Sequence, residues 1–161
     1  MAQDQMADAL SGFTAEGNQF LTFTLKDEEY GIEILRVQEI KGFSRITPIP
    51  NTPKYIKGVL NLRGTVVPVV DLRSKFGLPE TEYNQFTVII VVTVGKRVMG
   101  LLVDAVSDVL NIAKNEMELA PDLGSQVDTT FMTGMAKNGD RLITLLNIDR
   151  LVGWDDASVS A

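Results

Sequence analysis

Asp104 and Asp108 stand four residues apart, and Asp27 and Glu28 are adjacent in a polar turn. Paired carboxylates are the only acid–base machinery this chain offers apart from lysine, because it contains 0 His and 0 Cys. No Ser-His-Asp or Cys-His nucleophile can be assembled from such a composition. Zinc, iron and copper lose their usual nitrogen and sulfur ligands. The acids read as ordinary solvated side chains, and catalysis by them is not expected. Phosphate-cradling glycine loops (GxxxxGK[ST], GxGxxG) are absent, as is the Asp-x-Asp-x-Asp spacing that holds calcium. No cofactor is expected.

Binding is better served than catalysis. Ile32–Ile40 (IEILRVQEI) starts with strand alternation, which slips between Ile34 and Val37 where Leu35 intervenes. The slip predicts a bulge or kink. Beyond it some of Leu35, Val37 and Ile40 must face away from the interior, giving an apolar ridge beside Glu39 that suits a partner's side chains. Asn61-Leu62-Arg63-Gly64 puts an arginine at a hairpin tip. A forked guanidinium there can clamp a carboxylate, either a partner's or Glu39 of the same chain.

The elements that must carry these residues are mostly strands. Phe20–Leu25 and Tyr30–Ile34 flank the turn Lys26–Glu29, and Val59–Leu62 and Val66–Val70 flank Arg63-Gly64. Pro68 inside the latter run predicts an edge or a bulge. Thr87–Val94, almost wholly β-branched, reads as a strand buried on both faces, and Gly95-Lys96 turns it back into Val98–Val103. Asn138-Gly139 is the strongest hairpin signal and leads into Arg141–Leu146. Helical signals are short: Thr52-Pro53 to Lys57-Gly58; Leu72–Phe76 capped by Asp71 and stopped by Gly77; a segment capped by Asn147 or Asp149 and ending at Gly153; and Lys114–Leu119.

An internal repeat orders these elements. At an offset of 69, Gly31 falls on Gly100, Ile34 on Val103, Val37 on Val106 and Glu39 on Asp108. At an offset of 76, Gly58 falls on Gly134, Asp71 on Asn147 and Gly77 on Gly153. Each half is a roughly 65-residue set of short strands and tight turns, which predicts a small closed barrel. So small a unit is marginal alone, so the two must share apolar contacts. The expected organisation is a tail over 1–17, one domain over 18–154 with halves of roughly 18–85 and 86–154, and a tail over 155–161.

Charge and hydropathy bound the partners. The 161 residues carry 15 Lys+Arg against 21 Asp+Glu, a net charge of -6. The charge comes in blocks: -6 over residues 1–39, +6 over 40–76 and -6 over 77–161. A basic middle steers an acidic partner, whereas the overall balance disfavours nucleic acid. No apolar run approaches the roughly 20 residues of a membrane span, no signal peptide is visible, and the missing cysteines give no sign of an oxidising compartment. A cytoplasmic chain, monomeric in isolation and without membrane insertion, is expected.

The runs EEYGIEILRVQEI (28–40), IPNTPKYIKGVLNLRGTVVPVVDLR (49–73) and MGLLVDAVSDVL (99–110) closely resemble the CheW family, the coupling proteins of bacterial chemotaxis. The resemblance extends from about Phe20 to Trp154. It implies an all-β fold of two intertwined five-stranded SH3-like barrels with short helices. It also implies a non-catalytic adaptor linking the cytoplasmic hairpin tip of transmembrane chemoreceptors to the regulatory domain of the histidine kinase CheA, with the receptor tip in the groove between the barrels. The matching partner-contact positions are Val37, Glu39 and Ile40 in the VQEI run, Gly58 and Arg63 in the IKGV and NLRG runs, and the apolar positions Val88, Val106 and Val109. The family often has Gly where Ala105 stands, and residues 113–130 follow no strict pattern. A CheW-like module in an array outside chemotaxis is the nearest alternative.

Overall fold

The computed structural model describes residues 19–79, 81–113, 116–118 and 131–152. The expected tails, Gly153 and half of Lys114–Leu119 lie outside them.

Eleven strands and two short helices follow in order among the described residues: β1 Gln19–Leu25, β2 Glu28–Glu33, β3 Val37–Gly42, β4 Ile56–Leu62, β5 Thr65–Asp71, α1 Leu72–Lys75, β6 Val88–Val94, β7 Arg97–Val103, β8 Ala105–Asn111, β9 Met117–Glu118, β10 Met132–Asn138, β11 Arg141–Leu146 and α2 Ile148–Val152. They form two sheets, β8-β1-β2-β11-β10-β9 and β3-β6-β7-β5-β4. The sheets trade strands: β1 and β2 join the C-terminal elements, while β6 and β7 join β3–β5. The position near residue 85 thus separates the two copies of the repeat and not the two sheets. One sheet has six strands where five are expected, because Met117 and Glu118 add to β10. Gly134 permits that approach, since a Cβ there would lie 2.6 Å from the Glu118 carbonyl oxygen.

The repeat governs register. Val69↔Gly100 in the parallel pair β5/β7 is carried by the 76- and 69-residue offsets onto Leu145↔Gly31 in the parallel pair β11/β2. Likewise Ile89↔Leu102 becomes Phe20↔Glu33, and the bulge between Ile56 and Gly58 becomes the one between Met132 and Gly134. Sequence similarity at those spacings therefore reports one strand arrangement used twice.

Alternation along the strands builds three apolar clusters. Leu60, Leu62, Val67, Val69, Ile89, Val91 and Leu102 fill one face of the five-stranded sheet. Phe20, Ile112, Ala136, Ile143 and Leu145 do the same for its partner. The opposite faces meet in a larger shared core that includes Phe23, Tyr30, Ile32, Val70, Leu72, Ile90, Leu101 and Leu151. This shared core supplies the burial that neither unit has by itself.

Several local expectations are corrected. Thr52–Gly58 forms no helix: Ile56 N–H closes a turn on Pro53 O (3.0 Å), and Thr47 exchanges two backbone hydrogen bonds with Val59, drawing the segment into β4. Pro68 lies in an interior strand, but the ladder to β7 starts only at Val69, so its missing N–H deprives no partner on that side. The slip after Ile34 is a 3₁₀ turn over Ile34–Arg36 that passes the chain from one sheet to the other. Of Lys114–Leu119, Met117 and Glu118 are strand. Asp71 caps α1 as expected, accepting from Arg73 N–H (3.0 Å) and Ser74 N–H (3.5 Å), and Asn147 does so for α2 by accepting from Arg150 N–H (3.1 Å).

Candidate protein-binding site

The eight candidate residues fall on two opposite faces. Strand pairing sets which: Val37 pairs with Val92, Ile40 with Ile90 and Gly42 with Val88, so Val37, Ile40 and Val88 share the face turned to the common core. Glu39 pairs with Val91 and points to the other face. The repeat puts Val106 (paired with Phe23) and Val109 (paired with Leu21) on the common-core side of the second sheet. All five valine and isoleucine side chains are half-buried against that core. Each keeps part of its surface exposed. Leu35 is the ridge residue that is truly outside, with 55% of its surface exposed.

Glu39 and Arg63 meet on the far face, and Gly58 lies apart from them against Thr47. The β4–β5 turn takes positive φ at both Arg63 (50°) and Gly64 (88°), the geometry of a tight two-residue hairpin. Asn61 Oδ1 accepts from Gly64 N–H at 2.9 Å and braces it. Arg63 then donates to Glu39 Oε2 at 2.5 Å and Oε1 at 3.5 Å, which raises the guanidinium pKa above its ordinary value. The charge opposition between Glu39 and Arg63 inferred from sequence is thus a direct ion pair. Its arginine stays open, at 71% side-chain exposure. Gly58 has a different character: it is buried with φ 149°, and a Cβ would fall 2.1 Å from Thr47 O. Close backbone approach by itself requires glycine there.

Three of the four carboxylates weighed for catalysis, Asp104, Asp108 and Glu28, accept hydrogen bonds from other side chains. Asp104 accepts two hydrogen bonds from Arg73 (2.8 and 2.6 Å) and one from Lys26 N–H (2.8 Å), while a third Arg73 N–H reaches Pro79 O (2.8 Å). Asp108 accepts from Arg141 (3.1 Å), which also holds Glu29 through two bonds at 2.8 and 2.9 Å. These bonds raise both arginines above their ordinary pKa values. Such a charge-assisted pair acts as a strut between strands. An open cleft of about 720 Å³ borders Glu28, Glu29, Arg141 and Leu142, but Glu29 is held by Arg141 and Glu28 accepts from the Tyr30 hydroxyl. Among the described residues, no group of three or more acids is arranged to hold a metal ion, and no helix is long and apolar enough to cross a membrane.

Sequence reasoning missed two exposed apolar side chains beside hairpin tips, Val66 (63%) and Leu142 (49%). The repeat makes them counterparts, which is the signal that would have found them.

Residues 19–156 match the CheW-like domain. The chain belongs to the CheW-like family. Within it, the chain is 45% identical over 150 residues to the Klebsiella aerogenes protein named chemotaxis protein CheW, covering 93% of this chain and 90% of that one. It is 30% identical to protein FrzA of Myxococcus xanthus, covering 94% of each. The crystal structure of the scaffolding protein TtCheW from Thermoanaerobacter tengcongensis superimposes with a TM-score of 0.76 at 37% identity, over 81% of this chain and 89% of that one.

Proposed function

We propose that this chain is a non-catalytic scaffold that couples the cytoplasmic tips of transmembrane chemoreceptors to the histidine kinase CheA. The observation that carries this reading is the division of the candidate residues between opposite faces. An adaptor must hold two partners at once, and a strip on the common-core side of the sheets does not compete with a charged pair on the other face of the five-stranded sheet. The half-buried strip Val37, Ile40, Val88, Val106 and Val109 offers an apolar surface for one partner, and the Glu39–Arg63 pair offers charge on the other side. Membership of the CheW-like family and the 45% identity to a protein named for chemotaxis support the identity of the partners. The chain acts in the cytoplasm at receptor arrays, uses no cofactor, and is a monomer until it meets them.

The test is reconstitution. Purified chain, CheA and vesicles bearing receptor cytoplasmic domains are mixed, and kinase autophosphorylation and co-sedimentation are measured. Kinase stimulation that depends on both the chain and the receptors supports the reading. Its absence, with the chain folded and CheA active, overturns it.

A further inference from the structure

Apart from the β4 and β10 bulges, each sheet has a bulge in an outer strand, β3 in one and β8 in the other, and the repeat makes these two counterparts. In β3, Val37 pairs with Val92 and Glu39 with Val91, leaving Gln38 over. In β8, Val106 pairs with Phe23 and Asp108 with Thr22, leaving Ser107 over. The extra residue interrupts the ladder, so a bulge is held by whatever else bonds it.

The two bulges are held differently. Thr22 is fully buried, and its hydroxyl accepts from Asp108 N–H at 3.0 Å while donating to Asp108 O at 3.2 Å. One side chain thus ties both backbone groups of Asp108, the residue that follows the extra one. Val91, equally buried, stands in that place opposite Glu39, and an isopropyl group neither donates nor accepts. The acids follow suit. Arg141 is anchored by Glu29 on β2 whether or not it holds Asp108, whereas the Arg63–Glu39 pair rests on an arginine at an exposed tip.

We propose that Thr22 is a positioning residue that makes β8 the rigid jaw of the binding site, and that β3, with valine in its place, is the adaptive jaw whose backbone rearranges when a partner docks. This rests on the reading of Val37, Ile40, Val106 and Val109 as partner-contacting.

Amide hydrogen exchange on the full chain tests it. In the free protein, Gln38 and Glu39 exchange roughly 10-fold faster than Ser107 and Asp108, the scale of one added hydrogen bond. Thr22→Val accelerates Ser107 and Asp108 by a similar factor and leaves β3 unchanged, while Thr22→Ser, which keeps the hydroxyl, does not. Val91→Thr slows Glu39. Equal rates at the two bulges, or a Val91→Thr protein with unaltered Glu39 exchange, overturn the proposal even if Thr22→Val fails to fold. Adding vesicles that carry receptor cytoplasmic domains then slows β3 more than β8. Greater protection of β8 overturns the jaw assignment. Protection of neither strip, with the free-chain contrast in place, removes the partner reading and the jaw assignment with it, while the Thr22 clamp stands.

Discussion

Arg63 at the tip of the β4–β5 hairpin is bonded to Glu39 beside the β3 bulge, joining two elements that lie at opposite edges of one sheet. Twenty-four residues separate the pair along the chain. So exposed an ion pair adds little to stability, because water and salt screen it and the long side chains lose rotamer freedom. Its value lies in presenting two charges in a fixed relation.

Arg63→Ala is therefore expected to keep the wild-type melting temperature and to lose receptor-dependent kinase stimulation in the reconstituted assay. A variant that melts much earlier, or that stimulates normally, contradicts this assignment.

Gly58→Ala behaves in the opposite way. The added Cβ meets the Thr47 carbonyl at 2.1 Å in a left-handed backbone conformation, so the Thr47–Val59 bridge must break or shift. A loss of about 2 kcal/mol or more in denaturant unfolding is expected. Partner binding that falls no further than the folded fraction would show that Gly58 acts through the backbone.

Arg73→Ala is expected to cost roughly 1–3 kcal/mol, because it strips Asp104 of two hydrogen bonds and leaves that acid three-quarters covered. Asp104→Asn keeps one acceptor and should cost less. Urea melts of the two variants give the order, and equal stability of all three proteins would dissolve the strut.

Tyr30 supplies a pH dependence. The ring is fully buried between Phe23 and Phe76, and its hydroxyl donates to Glu28 at 2.6 Å. Burial first, then the bond to Glu28 and its charge, push the phenol pKa above its ordinary value of 10.0. A group raised in the folded state contributes fully below the unfolded pKa and is lost as pH climbs beyond it. Stability should hold up to about pH 10 and fall above it. Tyr30→Phe should flatten that alkaline decline, which melts between pH 8 and 11 will reveal.

The shared core explains why apolar site residues resist simple charge substitution. Val37 pairs with Val92 and packs against the common cluster, so Val37→Asp perturbs folding as well as binding. Arg63, exposed at its hairpin tip, is a cleaner probe.

Much of this was written in the sequence in local terms. β-Branched runs, two-residue turns and helix caps act over a few residues, so Thr87–Val94, Arg63-Gly64 and the Asp71 cap were legible from types and spacing. The repeat was legible too, because one strand arrangement used twice leaves the same glycines at the same places: Gly31 and Gly100 each face the neighbouring strand's Leu145 or Val69. Absence of His and Cys limited the chemistry before any fold was known.

Tertiary structure decided what depends on residues far apart in the chain. That β1 and β2 leave their own half to join β8–β11 follows from burial of a common core, which no local pattern records. Which candidates share a face was likewise invisible, since one bulged residue reverses the side on which everything after it points. The partners of Asp104, Asp108 and Glu39 are arginines 31, 33 and 24 residues away. Only the assembly of strands far apart in the chain brings those charges within bonding distance.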